Sequence, residues 1–435
     1  MKAAALLVLL SSGCSIFTDS FEIDEFSGDP FPIDVDTSSG AILVGVRQAG
    51  VADRVGVLDL LSPFTVADSG PGVVPSISYP DLVILGEAGS GGPLTRPRAE
   101  LRAPQLLALH PCVDADPCAI GPAASPVPYG VILGADSLAG DDIRLDLARD
   151  QISIFANVAG DEGSRSAVCD AVLPSPYRGG GTAIVNGTEL GYGGRRITIG
   201  ACVAFDPDPA LPQSQRGVDA LFVISTAVGT SILGEAAYTR YRLAEGSVPP
   251  ALEALPMATV LLPSGPTSGH VATLPSIAFV GFDQSTSRGP CREQFAHHLL
   301  LQHDCLLTDD CPCEDGGGNN TGNTFCSVPA VVELAPTAGF PVLVISDADP
   351  TLQALRTELR PDQAEVDGIL GTSALRTIEL DADYPHDRVL LRCDATDGRD
   401  TSCVTRPELP DQSSRAAVQG CIASTGSGSG SGVIP

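Results

Sequence analysis

The sequence predicts an all-β protein of two related lobes with a few short helices, and three observations carry that prediction. A module of apolar residues closing on glycine occurs twice, far apart in the chain. Glycine (47) and proline (36) are plentiful while aromatic residues make up 5% and tryptophan is absent, which favours a turn-rich β protein over a helical bundle. At 435 residues the chain is also too long for one ordinary core and long enough for two.

The first copy of the module reads Tyr129-Gly-Val-Ile-Leu-Gly134-Ala-Asp-Ser-Leu138 and is followed by the alternating segment Ile143–Phe155. The second reads Val366-Asp-Gly-Ile-Leu-Gly371-Thr-Ser-Ala-Leu375, followed by Ile378–Leu391. Ile132-Leu133-Gly134 and Leu138 match Ile369-Leu370-Gly371 and Leu375 without a gap, and each copy leads into a strand hairpin.

In chain order, residues 1–13 hold one lysine, an eight-residue apolar run and small residues before Cys14. The run is too short to span a bilayer and reads as a secretory signal. Its Leu-Ser-Ser-Gly-Cys ending resembles a bacterial lipoprotein signal, which makes Cys14 the expected lipidation site. With Cys14 acylated, twelve of the thirteen cysteines remain, an even number suited to disulfides in an exported chain. Cys112 with Cys118 and Cys393 with Cys403 flank short loops and are the expected pairs.

Residues 14–30 are an acidic, aperiodic tether. Strand signals open at Phe31 and continue through Ala41–Arg47 and Arg54–Asp59, separated by Gly- and Ser-rich turns. An N-terminal lobe is expected over 31–158, a Gly/Ser/Pro-rich linker over 159–180, and a C-terminal lobe over 181–405. The latter carries a Cys-rich insertion at 291–326, and 406–435 is a flexible Gly/Ser-containing tail. Pro350–Leu359 has the apolar spacing of one short helix, with Asp349 before its first proline.

The strand-and-turn segments upstream of each module carry the chemistry. Val57-Leu-Asp59-Leu60-Leu61-Ser62-Pro63-Phe64-Thr65 resembles the Asp-Thr-Gly-Ser-Pro loop of pepsin-like aspartic proteases, with Asp59, Ser62 and Pro63 kept. Asp36-Thr37-Ser38-Ser39-Gly40 is a rival for the first catalytic position, with less strand sequence before it. In the second lobe, Phe222–Leu233 resembles the other catalytic strand and turn. Aligning Gly229-Thr230-Ser231 with the end of Asp-Thr-Gly-Thr-Ser puts Ala227 where aspartate belongs; sliding the register puts Ser225 there instead.

That resemblance implies a bilobal fold with two pseudo-twofold-related β lobes. In the family two carboxylates share one proton, one activating water while the other polarises the substrate carbonyl. Here neither register supplies the second acid, so the expected molecule is a pseudoenzyme with a vestigial Asp59. The expected role is binding or scaffolding at a bacterial cell envelope, with an extended peptide or envelope protein as partner and a lipid anchor in the outer membrane or surface. An active endopeptidase using Asp36 or Asp219 as second acid and a purely structural surface lipoprotein are the alternatives.

The net charge of −28 argues against nucleic acid as a partner. No metal or cofactor is expected. His297, His298 and His303 lack metalloprotease spacing, and Asp309, Asp310, Glu314 and Asp315 lack the EF-hand pattern. Gly86–Gly92 reads as a hairpin turn or flap and not a dinucleotide loop.

Overall fold

The computed structural model describes residues 30–406 apart from breaks, the longest of which are 87–98, 110–129, 156–170, 204–217, 284–327 and 394–402. The expectations for Cys14, Cys112, Cys118, the tether, the Cys-rich insertion with its histidines and acidic residues, the flap beyond Gly86 and the tail lie outside the described residues. Within them the chain is all-β with short helices, and the two copies of the module sit in the same arrangement of strands.

In the first lobe the strand Arg54–Leu58 lies antiparallel to Ile42–Gln48 and parallel to Val131–Leu133. Val131–Leu133 runs antiparallel to Thr65–Asp68, which is parallel to Leu106–Leu109. In the second lobe Val218–Ile224 lies antiparallel to Thr198–Val203 and parallel to Gly368–Leu370. Gly368–Leu370 runs antiparallel to Ser231–Gly234, itself parallel to Phe340–Ile345. Each apolar-glycine strand is therefore flanked on both sides in its own lobe, and this accounts for its unbroken apolar sequence: Val131, Leu133, Ile369 and Leu370 are all buried.

The two halves join through a ladder between Asp142–Asp146 and Glu379–Asp383. Arg144 faces Asp381, which stands 237 positions later, the same separation as Gly134 from Gly371. The register therefore maps onto itself when the lobes are exchanged: Asp142 faces Asp383 just as Asp146 faces Glu379. A pseudo-twofold axis runs through this ladder. Ile143, Leu145, Leu380 and Ala382 point into the core, while the acids between them are buried on the other face, where Arg144, Arg149 and Arg392 pair with Asp381, Asp146 and Glu379.

Each module glycine is required by close approach. A Cβ on Gly134 would stand 2.2 Å from the Phe64 carbonyl oxygen, and one on Gly371 would stand 2.6 Å from that of Val228. The contact lets Ala135 N–H donate to Ser62 O (2.8 Å) and Thr372 N–H donate to Val228 O (2.9 Å), the same bond in each lobe. A four-residue helix follows each glycine, at Ala135–Leu138 and Thr372–Leu375.

The expected helix forms over Pro350–Glu358, capped by Asp349, whose carboxylate accepts from Thr351 N–H at 2.8 Å. A second helix, Glu235–Ala244, is not marked by caps in the sequence. It begins directly after Gly234 at a strand end, and its Ala237, Tyr238 and Tyr241 pack into the core. Inside the stretch read as a linker, Ala171–Pro174 forms a strand against Arg388–Arg392, because Val172-Leu173 supplies the apolar edge that the surrounding Gly and Ser obscure. The expected Cys393–Cys403 disulfide is present with its Cα atoms 5.5 Å apart.

Replacing Gly134 or Gly371 with alanine should destabilise the protein by about 1–3 kcal/mol through overpacking against backbone. Gly200→Ala, where nothing lies within 4 Å of the added Cβ, should be close to neutral. Denaturant unfolding of the three variants checks the contrast.

Candidate functional site

The turns that follow the Arg54–Leu58 and Val218–Ile224 strands meet across the lobe boundary. Asp59 N–H donates to Leu133 O at 2.9 Å, and Ser225 N–H donates to Leu370 O at 3.0 Å. Leu61 N–H donates to the Asp59 carboxylate (2.9 Å) and Ala227 N–H to the Ser225 hydroxyl (3.2 Å). Gly134 N–H donates to the Thr65 hydroxyl (3.2 Å) and Gly371 N–H to the Ser231 hydroxyl (3.1 Å). Every pair of bonds equates Asp59 with Ser225, 166 positions apart.

This settles the two registers left open by the sequence. Ser225 occupies the position opposite Asp59, and Ala227 lies two residues beyond it in the turn. Matching Gly229-Thr230-Ser231 by identity misplaces the strand end, because six steps separate Asp59 from Thr65 and likewise Ser225 from Ser231. The leucines at 60 and 61 do not prevent the turn. Neither has positive φ, and Leu61 makes the Asx-type bond to Asp59 that any backbone N–H can make.

The Ser225 hydroxyl donates to Asp59 Oδ1 at 3.3 Å. Asp59 is 5% exposed and Ser225 fully buried. Burial pushes the Asp59 carboxyl above its ordinary range, against the opposing pull of Leu61 N–H, the Arg196 guanidinium, the Ser225 hydroxyl and the Ser62 backbone. The site thus holds one carboxyl biased toward its neutral form, paired with a hydroxyl that cannot share its proton as a second carboxylate would.

Thr226 ties the lobes together. Its hydroxyl donates to Leu58 O at 2.7 Å and accepts from Leu60 N–H at 3.1 Å, while its carbonyl accepts from Ile42 N–H at 2.9 Å. The counterpart position in the first lobe is Leu60, which has no hydroxyl to return the bond. Leu61 instead inserts among Leu221, Val223, Val228 and Ile232 of the second lobe. Arg196 also crosses, donating Nη1–H to Leu61 O and Nε–H to Glu358 (2.7 Å). The sequence signal for Arg196 is an arginine two residues ahead of the largely apolar strand Thr198–Val203.

The other candidate acids lie elsewhere. Asp36 sits in the turn before Ile42–Gln48, where its carboxylate accepts from Ser39 Oγ at 2.7 Å. That turn reaches the second lobe through Gly40, whose φ of +75° and close approach to Gly229 exclude a side chain. Asp219 pairs with Cys202 in the Val218–Ile224 strand, six residues ahead of Ser225 and so about 20 Å along it.

No family model matches the chain, and no curated protein matches it. Among solved structures it is similar to the crystal structure of aspartic proteinase from Irpex lacteus, at 13% identity over 86% of this chain and 99% of that one, with a TM-score of 0.34. At that score the likeness adds nothing to the duplicated strand order and register, on which the bilobal description stands.

Thr226→Val keeps the shape of the side chain but strands Leu58 C=O and Leu60 N–H at the lobe boundary. It should cost about 1–3 kcal/mol per stranded group, whereas Thr226→Ser should retain most of the stability. Thermal or denaturant unfolding of the two variants distinguishes a hydrogen-bonded bridge from simple packing.

Proposed function

We propose that this chain is an exported lipoprotein whose protease-like body binds or scaffolds at the cell envelope and does not cleave peptides. The observation that carries the reading is the Asp59–Ser225 pair. Peptide hydrolysis by this kind of site needs one group to take a proton from water and an opposing acid to polarise the carbonyl. A serine hydroxyl that donates to Asp59 and is itself fully buried does neither. Asp36 is held by Ser39 Oγ in its own turn, and Asp219 stands six residues ahead of Ser225 on its strand, which weighs against an endopeptidase built on either of them. An extended peptide held by strand-like contacts between the lobes is the occupant this architecture suits.

The lipid anchor is proposed from Cys14 and the apolar run before it; among the described residues no helix is long and apolar enough to cross a membrane. Acylation of the mature terminus would hold the body to the envelope without a spanning segment.

Purified full-length protein with its disulfides intact should show no cleavage of unfolded substrate between about pH 3 and 6, the window that brackets carboxyl titration. Robust cleavage abolished by Asp59→Asn would overturn the non-catalytic reading. Separately, Cys14→Ser should release the protein from the membrane fraction or leave it unprocessed. Unchanged membrane fractionation, with no lipid on Cys14 in the mass of the native protein, would remove the anchor from the proposal.

A further inference from the structure

The turn that carries Asp59 rests on a second acid that the other lobe lacks. Asp136 lies on the four-residue helix after Gly134, and Thr65 Oγ1 donates to its Oδ1 at 2.8 Å. The same Thr65 oxygen accepts from Gly134 N–H (3.2 Å) and touches the Ser137 hydroxyl. Thr65 has one proton to give and gives it to Asp136, so both Gly134 N–H and Ser137 O–H must point at its oxygen. A chain of hydrogen bonds therefore runs from the glycine that supports the Asp59 turn to the Asp136 carboxyl. The Asp136 Oδ2 is buried with no hydrogen-bond partner among the described residues.

The duplicate supplies the comparison. In the second lobe Ser231 takes the place of Thr65 and accepts Gly371 N–H at 3.1 Å. The residue two places after the glycine there is Ser373, and the next is Ala374. The fold closes this support without an ionisable group, so the acid in the first lobe is not demanded by the architecture.

We propose that Asp136 is a pH-responsive positioning residue, whose protonation in mildly acidic surroundings relieves a buried charge beside the Thr65–Gly134 support of the Asp59 turn. When Asp136 is ionised, a charge is held in a largely buried place with Thr65 as its one hydrogen-bonded side chain. When it is protonated the charge is gone, and the carboxyl keeps its contact with the Thr65 hydroxyl. Burial raises its pKa to about 6, opposed by the Thr65 hydroxyl and by nearby backbone N–H groups of Ser137, Thr65 and Asp136 itself. Among the described residues, the groups acting on it from the strand Thr65–Asp68 and from its own helix include a hydroxyl and backbone N–H groups. Its folded value lies above the ordinary 3.8 of an aspartate, so its contribution to stability is fully present below about pH 4 and is lost as pH rises through about 6. The device does not depend on whether the Asp59 site cleaves or binds.

The test compares the full-length protein with Asp136→Asn and with Asp136→Ser, the latter copying the second lobe. Across pH 4 to 7.5 the wild-type unfolding constant should rise by up to about a hundredfold relative to that of either variant, the ratio expected for a carboxyl held about two pH units above its unfolded value. The backbone amide resonance of Gly134 should titrate with a midpoint near pH 6 in the wild type and lose that step in both variants. A purely structural Asp136 would lower stability when replaced and leave the Gly134 resonance without a step. A flat Gly134 resonance in the wild type, or pH profiles that run parallel in wild type and variants, would overturn the proposal.

Discussion

The antiparallel ladder between Asp142–Asp146 and Glu379–Asp383 is the constraint on which the rest of the molecule depends. Strand register is all-or-none, since a slip of one residue would turn Ile143, Leu145, Leu380 and Ala382 out of the core and drive the charged set into it. Fixing that register fixes the pseudo-twofold axis, and the axis decides which residues of the two turns meet. Arg144 guards the register at the centre: it bonds Asp381 at 2.8 Å and reaches Glu379 at 3.3 Å, while Arg392 pairs with Glu379 from the next strand. Pairs so enclosed add little net stability, because desolvation opposes the attraction. What they supply is charge balance, since the native register sets Asp142 against Asp383 and Asp146 against Glu379, with Arg144 between the two acid pairs.

From that axis the site follows by geometry. The turn after each central strand is pinned at its start by a backbone bond to the apolar-glycine strand and at its end by a hydroxyl on the glycine N–H. Between those pins one lobe offers Asp59 and the other Ser225. The bridge across the boundary is lopsided because Thr226 has a hydroxyl and Leu60 does not. The first lobe makes up the difference with apolar contact, sending Leu61 into the second lobe's core, and Arg196 caps its carbonyl.

Much of this was legible in the sequence, and the rest was hidden for physical reasons. The paired Ile-Leu-Gly modules exposed the duplication because a glycine pressed against backbone leaves no room for a side chain, so the same letters recur wherever the fold repeats that contact. The helix at Pro350–Glu358 showed itself through Asp349 and Pro350, whereas Glu235–Ala244 follows a strand without a loop and takes its cap from Asp347, far along the chain, which accepts from Ala236 N–H. The choice of Ser225 over Ala227 could not be made from letters alone. Gly229-Thr230-Ser231 imitates a catalytic ending, yet in this turn the glycine faces the Ser39–Gly40 turn of the other lobe. Only the bonds to Leu370 and Ser231 reveal the register.

The same turn shows what a serine opposite Asp59 does for the fold. Two carboxyls in contact cannot both ionise, so a paired site carries a repulsion that must be offset by shared protons and by solvent. With Ser225 in place the contact is a single hydrogen bond, and Asp59 is 5% exposed with a hydroxyl and not an acid opposite it. Desolvation then raises its pKa, as it does for Glu379, where Asp146 adds to the rise and Arg392 and Arg144 oppose it. For an acid whose folded pKa is raised, stability is fully present below the unfolded value and falls as pH climbs through the folded one. Both groups therefore bias the folded state toward acid, the opposite of the usual salt-bridged carboxylate. The turn thus pairs one carboxyl with a hydroxyl and keeps a preference for protons. With a serine at 225 the two turns meet through a hydrogen bond, without repulsion between acids.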